Sequence, residues 1–150
     1  MGRTLETVAV PLTPGRAFEL WTDLRRWPGF VEGFARVHEA TGEWPGVGSQ
    51  VVWQSIPSGR GRVTERVTAL EPGRAVTTQV FEEALTGTQT VSFEAADDDA
   101  LVKLELQYEL TRTGPLRAVA DLLFIRRALG DAQRRTLSRF GIEADEEAAL

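Results

Sequence analysis

After residue 35 this chain places six strand-like segments in succession, with turns between them too short to hold a helix. They read as Ala35–Ala40, Gln50–Ile56, Gly61–Leu70, Ala75–Glu82, Thr88–Ala95 and Leu101–Leu110. Strands joined this way form an antiparallel meander. The last is the clearest: Val102, Leu104, Leu106, Tyr108 and Leu110 share one face, and Lys103, Glu105, Gln107 and Glu109 the other. That alternation describes a sheet with one wet face and one face that must be covered. The only long amphipathic element follows it. Gly114-Pro115 opens a helix that can run to Phe140, apolar over a wide arc in its first half and charged in its second. The chain therefore has a sheet to cover and one helix to cover it with.

The segment before the meander is shorter. Leu5–Leu12 alternates and reads as a first strand that joins an edge of the same sheet. Thr13 is placed to cap a short helix with Pro14 at its first position, and Pro28-Gly29 breaks that helix. A second short helix or turn holds Phe30, Val31 and Phe34. Turns are expected at Thr41–Gly48, Pro57-Ser58-Gly59, Glu71-Pro72-Gly73, Thr86-Gly87 and Asp97-Asp98-Asp99. The fold class is α+β, with about six to seven strands curved around the last helix. Residues 1–140 form one domain, and 141–150 form an acidic tail expected to be flexible. A strongly curved sheet on one helix leaves space between them, and apolar space is a ligand pocket by default.

Composition removes much chemistry. The 150 residues include no cysteine and a single histidine, His38. Thiol nucleophiles, disulfides, cysteine-ligated metals and multi-histidine sites are excluded. No cofactor and no metal site is expected. The formal charge of -5 disfavours nonspecific nucleic-acid binding. No apolar run approaches the ~20 residues of a membrane span, and no signal peptide is visible, so a cytoplasmic protein is expected. The sequence leaves open a monomer or a homodimer.

The order of elements and several local motifs resemble the START-like, helix-grip superfamily, which includes polyketide cyclases/dehydrases and lipid-transport proteins. Val8-Ala9-Val10-Pro11 followed by Thr13-Pro14 and Ala17-Phe18 looks like its opening strand and helix. Thr22-Asp23-Leu24 with Trp27-Pro28-Gly29-Phe30 looks like its D-x-x-x-W-P-x-F segment, and Gly46-Val47-Gly48 like its G-x-G. Arg66-Val67 leading to Glu71-Pro72-Gly73-Arg74 is similar to its strand ending in a proline turn. The resemblance covers about Leu5 to Phe140. It implies binding of a small hydrophobic or aromatic ligand, such as a lipid or polyketide, between sheet and helix. It equally admits a polyketide cyclase or aromatase-dehydratase, or a protein-interaction module of the same fold.

Candidate residues follow from register and position. Val63, Glu65, Val67 and Ala69 form the more apolar parity of their strand, which aims Glu65 inward. A carboxyl in an apolar pocket has a raised pKa and suits general acid or base work; the alternative is a rim position paired with an arginine. Tyr108, inward on the clearest strand, could donate to a ligand carbonyl or close a core hydrogen bond. Thr78, Gln79 and Gln89 are polar residues of inward or ambiguous register. Trp27 and Phe30 could gate the cavity or plug the core, and Trp44 could be a mobile rim residue or a loop anchor. Trp53, Phe81, Phe93, Leu106 and Leu123 complete the expected apolar wall. Arg127, in a cluster with Arg126, Arg134 and Arg135, could hold an anionic group or simply face solvent. Gly130 could admit a ligand close to the helix or be a tolerated weak point.

Overall fold

The computed structural model describes residues 2–111 and 118–150, with the side chains of 118–123 left aside. The chain runs β1 (Gly2–Val10), α1 (Pro14–Thr22), a 3-10 turn (Leu24–Arg26), α2 (Trp27–Phe30), β2 (Phe34–Thr41), β3 (Gln50–Ser55), β4 (Arg62–Glu71), β5 (Ala75–Phe81), β6 (Leu85–Ala96), β7 (Asp99–Leu110) and α3 (Ala118–Ala148). The strands form one seven-stranded antiparallel sheet in the order β1-β7-β6-β5-β4-β3-β2. Five hairpins make the meander, and β1 closes the far edge on β7, as the sequence pattern requires. The expected helix start at Gly114-Pro115 lies outside the described residues.

Local chemistry sets the helix boundaries. The Thr13 hydroxyl accepts from the Arg16 amide at 3.3 Å, with Pro14 in the first turn. α1 ends at Thr22, whose hydroxyl donates back to the Phe18 carbonyl at 2.8 Å. Pro28-Gly29 does not break this helix. It lies within α2, and Pro28 falls in the first turn, where a missing N–H costs nothing. A Cβ at Gly29 would stand 2.5 Å from a Glu143 carboxylate oxygen, the tip of a flexible side chain that would have to shift.

Two strand readings are corrected. Thr86-Gly87 is not a turn: β6 begins at Leu85, and Thr86 and Gly87 pair with Phe81 and Val80. In β4 the inward parity holds for Val63, Glu65 and Val67 and then fails. A bulge between Val67 and Ala69 flips the parity, so that Ala69 is exposed and Leu70 packs on the core.

The C-terminal segment is also corrected. Helix α3 does not stop at Phe140 but continues to Ala148. Leu137, Phe140 and Ala144 are buried. Arg26 bonds Glu143 at 2.9 Å and Glu147 at 3.0 Å, so acidic residues that looked like a free tail fasten the helix to the segment before α2. The main core gathers around rings from three elements. Trp21 lies 5.2 Å from Phe30 and 5.2 Å from Phe140, and Phe30 lies 5.1 Å from Phe140. Phe18 meets Phe93 edge-on at 5.7 Å. A second, smaller cluster holds Leu85, Leu106, Tyr108 and Leu129.

Phe140→Ala should cost about 3–5 kcal/mol in urea unfolding, because three elements share that ring. Gly130 has open space where a Cβ would stand. Gly130→Ala should therefore raise stability by about 0.5–1 kcal/mol, the helix-propensity difference; a loss instead would mean the position is sterically needed.

Candidate functional site

The sheet's inner face is mostly apolar, and one polar patch lies near its middle strands. Glu65 on β4, Thr78 on β5 and Gln89 on β6 occupy neighbouring inward positions, where Thr78 pairs with Gln89 and sits diagonal to Glu65. All three side chains meet. The Trp53 indole N–H donates to Glu65 Oε2 at 2.8 Å. The Thr78 hydroxyl and the Gln89 amide approach Glu65 Oε1, each at 3.4 Å. Glu65 is 8% exposed, so this is a carboxyl taken out of water and held by donors. On β6, Gln89 falls between Val91 of the main core and Leu85 of the smaller cluster, so the patch separates two apolar regions. Across from it, the Thr4 hydroxyl hydrogen-bonds the Gln133 side chain of α3.

Glu65 faces a cavity of about 50 Å³. Its walls are the indoles of Trp21, Trp27 and Trp53, with Val31 and Leu104, and its polar groups besides Glu65 are Arg60, Gln89, Gln133 and Thr136. Arg60 comes from the turn between β3 and β4. Its guanidinium lies 5.5 Å from the Trp53 ring centre, and its Nε donates to the Glu82 carboxylate at 2.5 Å. Burial pushes the Glu65 carboxyl above the ordinary glutamate range; the Trp53 N–H, the Arg60 charge and the Thr78 hydroxyl oppose the rise, and the Glu82 charge adds to it. Burial also raises Glu82, against the pull of Arg60.

Of the expected site residues, the cavity brings together Glu65, Trp27 and Trp53. Trp27 is fixed by its N–H to the Trp21 carbonyl at 2.8 Å. Trp44 is a loop anchor rather than a mobile rim residue: its N–H reaches the Thr22 carbonyl at 3.0 Å and its ring meets Trp27 edge-on at 5.8 Å. Phe30, Val63, Val67 and Phe93 are core residues that do not line this cavity. Leu106 and Tyr108 belong to the smaller cluster. Tyr108 packs over Gly2, where any Cβ would collide with its ring, and borders a separate open groove of about 210 Å³. Glu65 and Tyr108 therefore do not share a cavity wall. Phe81 is corrected: it is 40% exposed, on the wet face opposite Val80. Gln79 points the same way. Arg127 is exposed on α3 and lines none of this cavity, and Arg134 pairs instead with Asp131 at 2.8 Å. The Leu123 side chain lies outside the described residues. His38 is exposed on β2.

Arg60, Gln133 and Thr136 carried no usable sequence signal. Arg60 sits among glycines in a turn, and the two α3 residues interrupt its apolar stripe as ordinary polar positions would. Among the described residues no group of acidic or histidine side chains is arranged to hold a metal, and no helix is long and apolar enough to cross a membrane.

A curved antiparallel sheet wrapped on a C-terminal helix, with a small buried cavity between them, defines a helix-grip protein. The chain belongs to the polyketide cyclase/dehydrase and lipid transport family, whose pattern matches residues 1–143. Solved structures agree on the fold. TTHA0849 from Thermus thermophilus is 15% identical, with a TM-score of 0.81 over 97% of this chain and 99% of its own. A START superfamily protein from Mycobacterium smegmatis is 14% identical, with a TM-score of 0.71 over 96% of this chain and 97% of its own. The di-domain ARO/CYC StfQ from the steffimycin biosynthetic pathway is 14% identical, with a TM-score of 0.77 over 99% of this chain and 52% of its own. At such identities the likeness is one of fold. No sequence among curated proteins matches the chain.

The raised Glu65 carboxyl has a consequence for stability. Between the ordinary glutamate range and the raised native pKa, the native protein keeps a proton that the unfolded chain has released. Stability therefore falls as pH climbs through that window and levels off above it. In urea midpoints taken from about pH 4 to 8, Glu65→Gln should flatten this fall. Glu82 contributes with the same sign and stays in both proteins, so the difference isolates Glu65. A difference that grows in favour of the native protein with rising pH would contradict the assignment.

Proposed function

We propose that this chain binds a small hydrophobic or aromatic ligand between the sheet and α3, with a polar group of the ligand meeting Glu65. The observation that carries the reading is the buried Glu65 carboxyl, facing an indole-walled cavity and clasped by the Trp53 N–H. A fold that needed only stability would gain by filling this place with an apolar side chain, because a buried carboxyl is costly. Membership of a family named for polyketide cyclisation and lipid transport supports the ligand class. The cavity of about 50 Å³ holds one or two waters or the head of a ligand. Small-molecule sites run to roughly 300–1,000 Å³. The body of a lipid or polyketide therefore enters only as side chains around the cavity move apart.

A second reading is a polyketide cyclase or dehydratase. It is favoured by the burial that raises the Glu65 carboxyl above the ordinary glutamate range, the direction expected of a carboxyl that acts as a general acid. Glu65 would move the proton and the indole walls would hold the chain in its reactive shape. Tyr108 takes part only where the substrate spans from the cavity to the smaller cluster.

Native mass spectrometry of freshly purified protein tests the binding reading. A retained lipid or polyketide of a few hundred daltons is expected; a bare chain that also takes up no lipid, isoprenoid or aromatic polyketide on titration would overturn it. For the cyclase reading, Glu65→Gln should abolish turnover of a poly-ketone mimic while leaving its binding intact. Tyr108→Phe should do the same if the substrate reaches it. Unchanged turnover in both variants removes the two residues from the mechanism.

A further inference from the structure

The cation nearest the Glu65 carboxyl is bonded elsewhere. Glu65 receives three N–H or O–H donors and, among the described residues, forms no contact ion pair. Burial favours the protonated carboxyl, and the Thr78 hydroxyl can donate to Glu65 or accept from it, so the site holds either protonation state; a cation brought beside Glu65 favours the carboxylate. A buried carboxylate is ordinarily paired with a cation, and this carboxyl opens onto a cavity instead. The cation beside it, Arg60, is bonded to Glu82 and reaches Glu65 only through its field.

Arg60 also shows what the cavity wall accepts. Its guanidinium stands 5.5 Å from the Trp53 ring centre, within the range at which an indole face attracts a cation. The same indole carries the N–H that holds Glu65. One ring thus presents its face to a positive charge and its edge to a negative one. Trp21 and Trp27 complete the indole wall. The open volume of about 50 Å³ accommodates an ammonium or methylammonium head and excludes a large one. Arg60 is half-buried in a turn, on a long side chain that can leave Trp53 without unfolding a strand.

We propose that the Glu65 cavity is a cation subsite, taking the protonated amine of a ligand with an apolar or aromatic body, and that Arg60 occupies the edge of this subsite until the ligand displaces it. The inference rests on the ligand-binding reading above and adds the charge of the ligand's head. The ammonium sits against the Glu65 carboxylate and the indole wall, and its body runs between the sheet and α3. Displaced from Trp53, Arg60 keeps its pair with Glu82. Where Glu65 carries a proton, that proton passes to solvent as the ammonium binds, and no other bond is made or broken.

Three probes of one shape test it by isothermal titration calorimetry: 3-phenylpropylammonium, 3-phenylpropan-1-ol and 3-phenylpropanoate. They are titrated into the full chain and into Arg60→Ala, with Arg60→Gln as a second variant should the alanine protein fail to fold. Removal of Arg60 should tighten the ammonium probe by about tenfold, the scale of one desolvated cation–indole contact. In that background the ammonium should bind at least about tenfold more tightly than the alcohol, and the carboxylate should bind least. Adding Glu65→Gln should erase the preference, bringing ammonium binding down to that of the alcohol. Equal binding of ammonium and alcohol, tighter binding of the carboxylate, or a preference that survives Glu65→Gln would each overturn the cation subsite while leaving a ligand cavity in place. Failure of all three probes to bind any of the proteins would overturn the ligand-binding reading and the subsite with it.

Discussion

A sheet of seven antiparallel strands has one face to bury, and this chain supplies one helix long enough to lie along it. Most other features of the structure serve that contact. The rings of Trp21, Phe30 and Phe140 join α1, α2 and α3 into a lid over one end of the sheet. Arg26 ties the last turns of α3 to the segment before α2 through Glu143 and Glu147. These two ion pairs are partly shielded from water and are less screened than surface pairs. They hold in place the stretch of helix that buries Phe140 and Ala144.

The same contact explains where a site can exist. A curved sheet cannot press evenly on a straight helix, so the inner face divides into a large cluster and a small one. The polar groups of Glu65, Thr78 and Gln89 lie in the interval, with Thr4 and Gln133 answering from β1 and α3. Each of these side chains has a hydrogen-bond partner, so the patch is a built feature and not a packing flaw. Its cost in stability is the argument for its use. The cavity is small because Arg60 and three indoles crowd it.

Much of this was legible in the sequence because sheets write a period of two. The alternation in β7 marked its inner face without ambiguity, and the apolar parity of β4 was enough to place Glu65 inward. Where the period broke, reading failed: the bulge after Val67 turned Ala69 out, and the weak pattern of β5 left Phe81 on the wrong face. Charge misled at the end of the chain. A run of acidic residues reads as a solvated tail unless its arginine partner, more than a hundred positions earlier, is known to lie beside it. Arg60 was invisible for the opposite reason, since a glycine-flanked turn residue has no register to reveal where its side chain goes. The family resemblance pointed to the fold and the ligand class, while the pairing of Trp53 with Glu65 left no trace in any motif.

That pairing is the centre of the account, and the indole N–H can report on it directly. The chain has four tryptophans, so a proton–nitrogen correlation spectrum holds four indole signals. As pH rises, the Trp53 signal should shift with a midpoint above the ordinary glutamate range, and the shift should vanish in Glu65→Gln. An indole signal of Trp53 that ignores pH, or that titrates where an exposed glutamate does, would contradict a buried Glu65 held at the cavity by that bond.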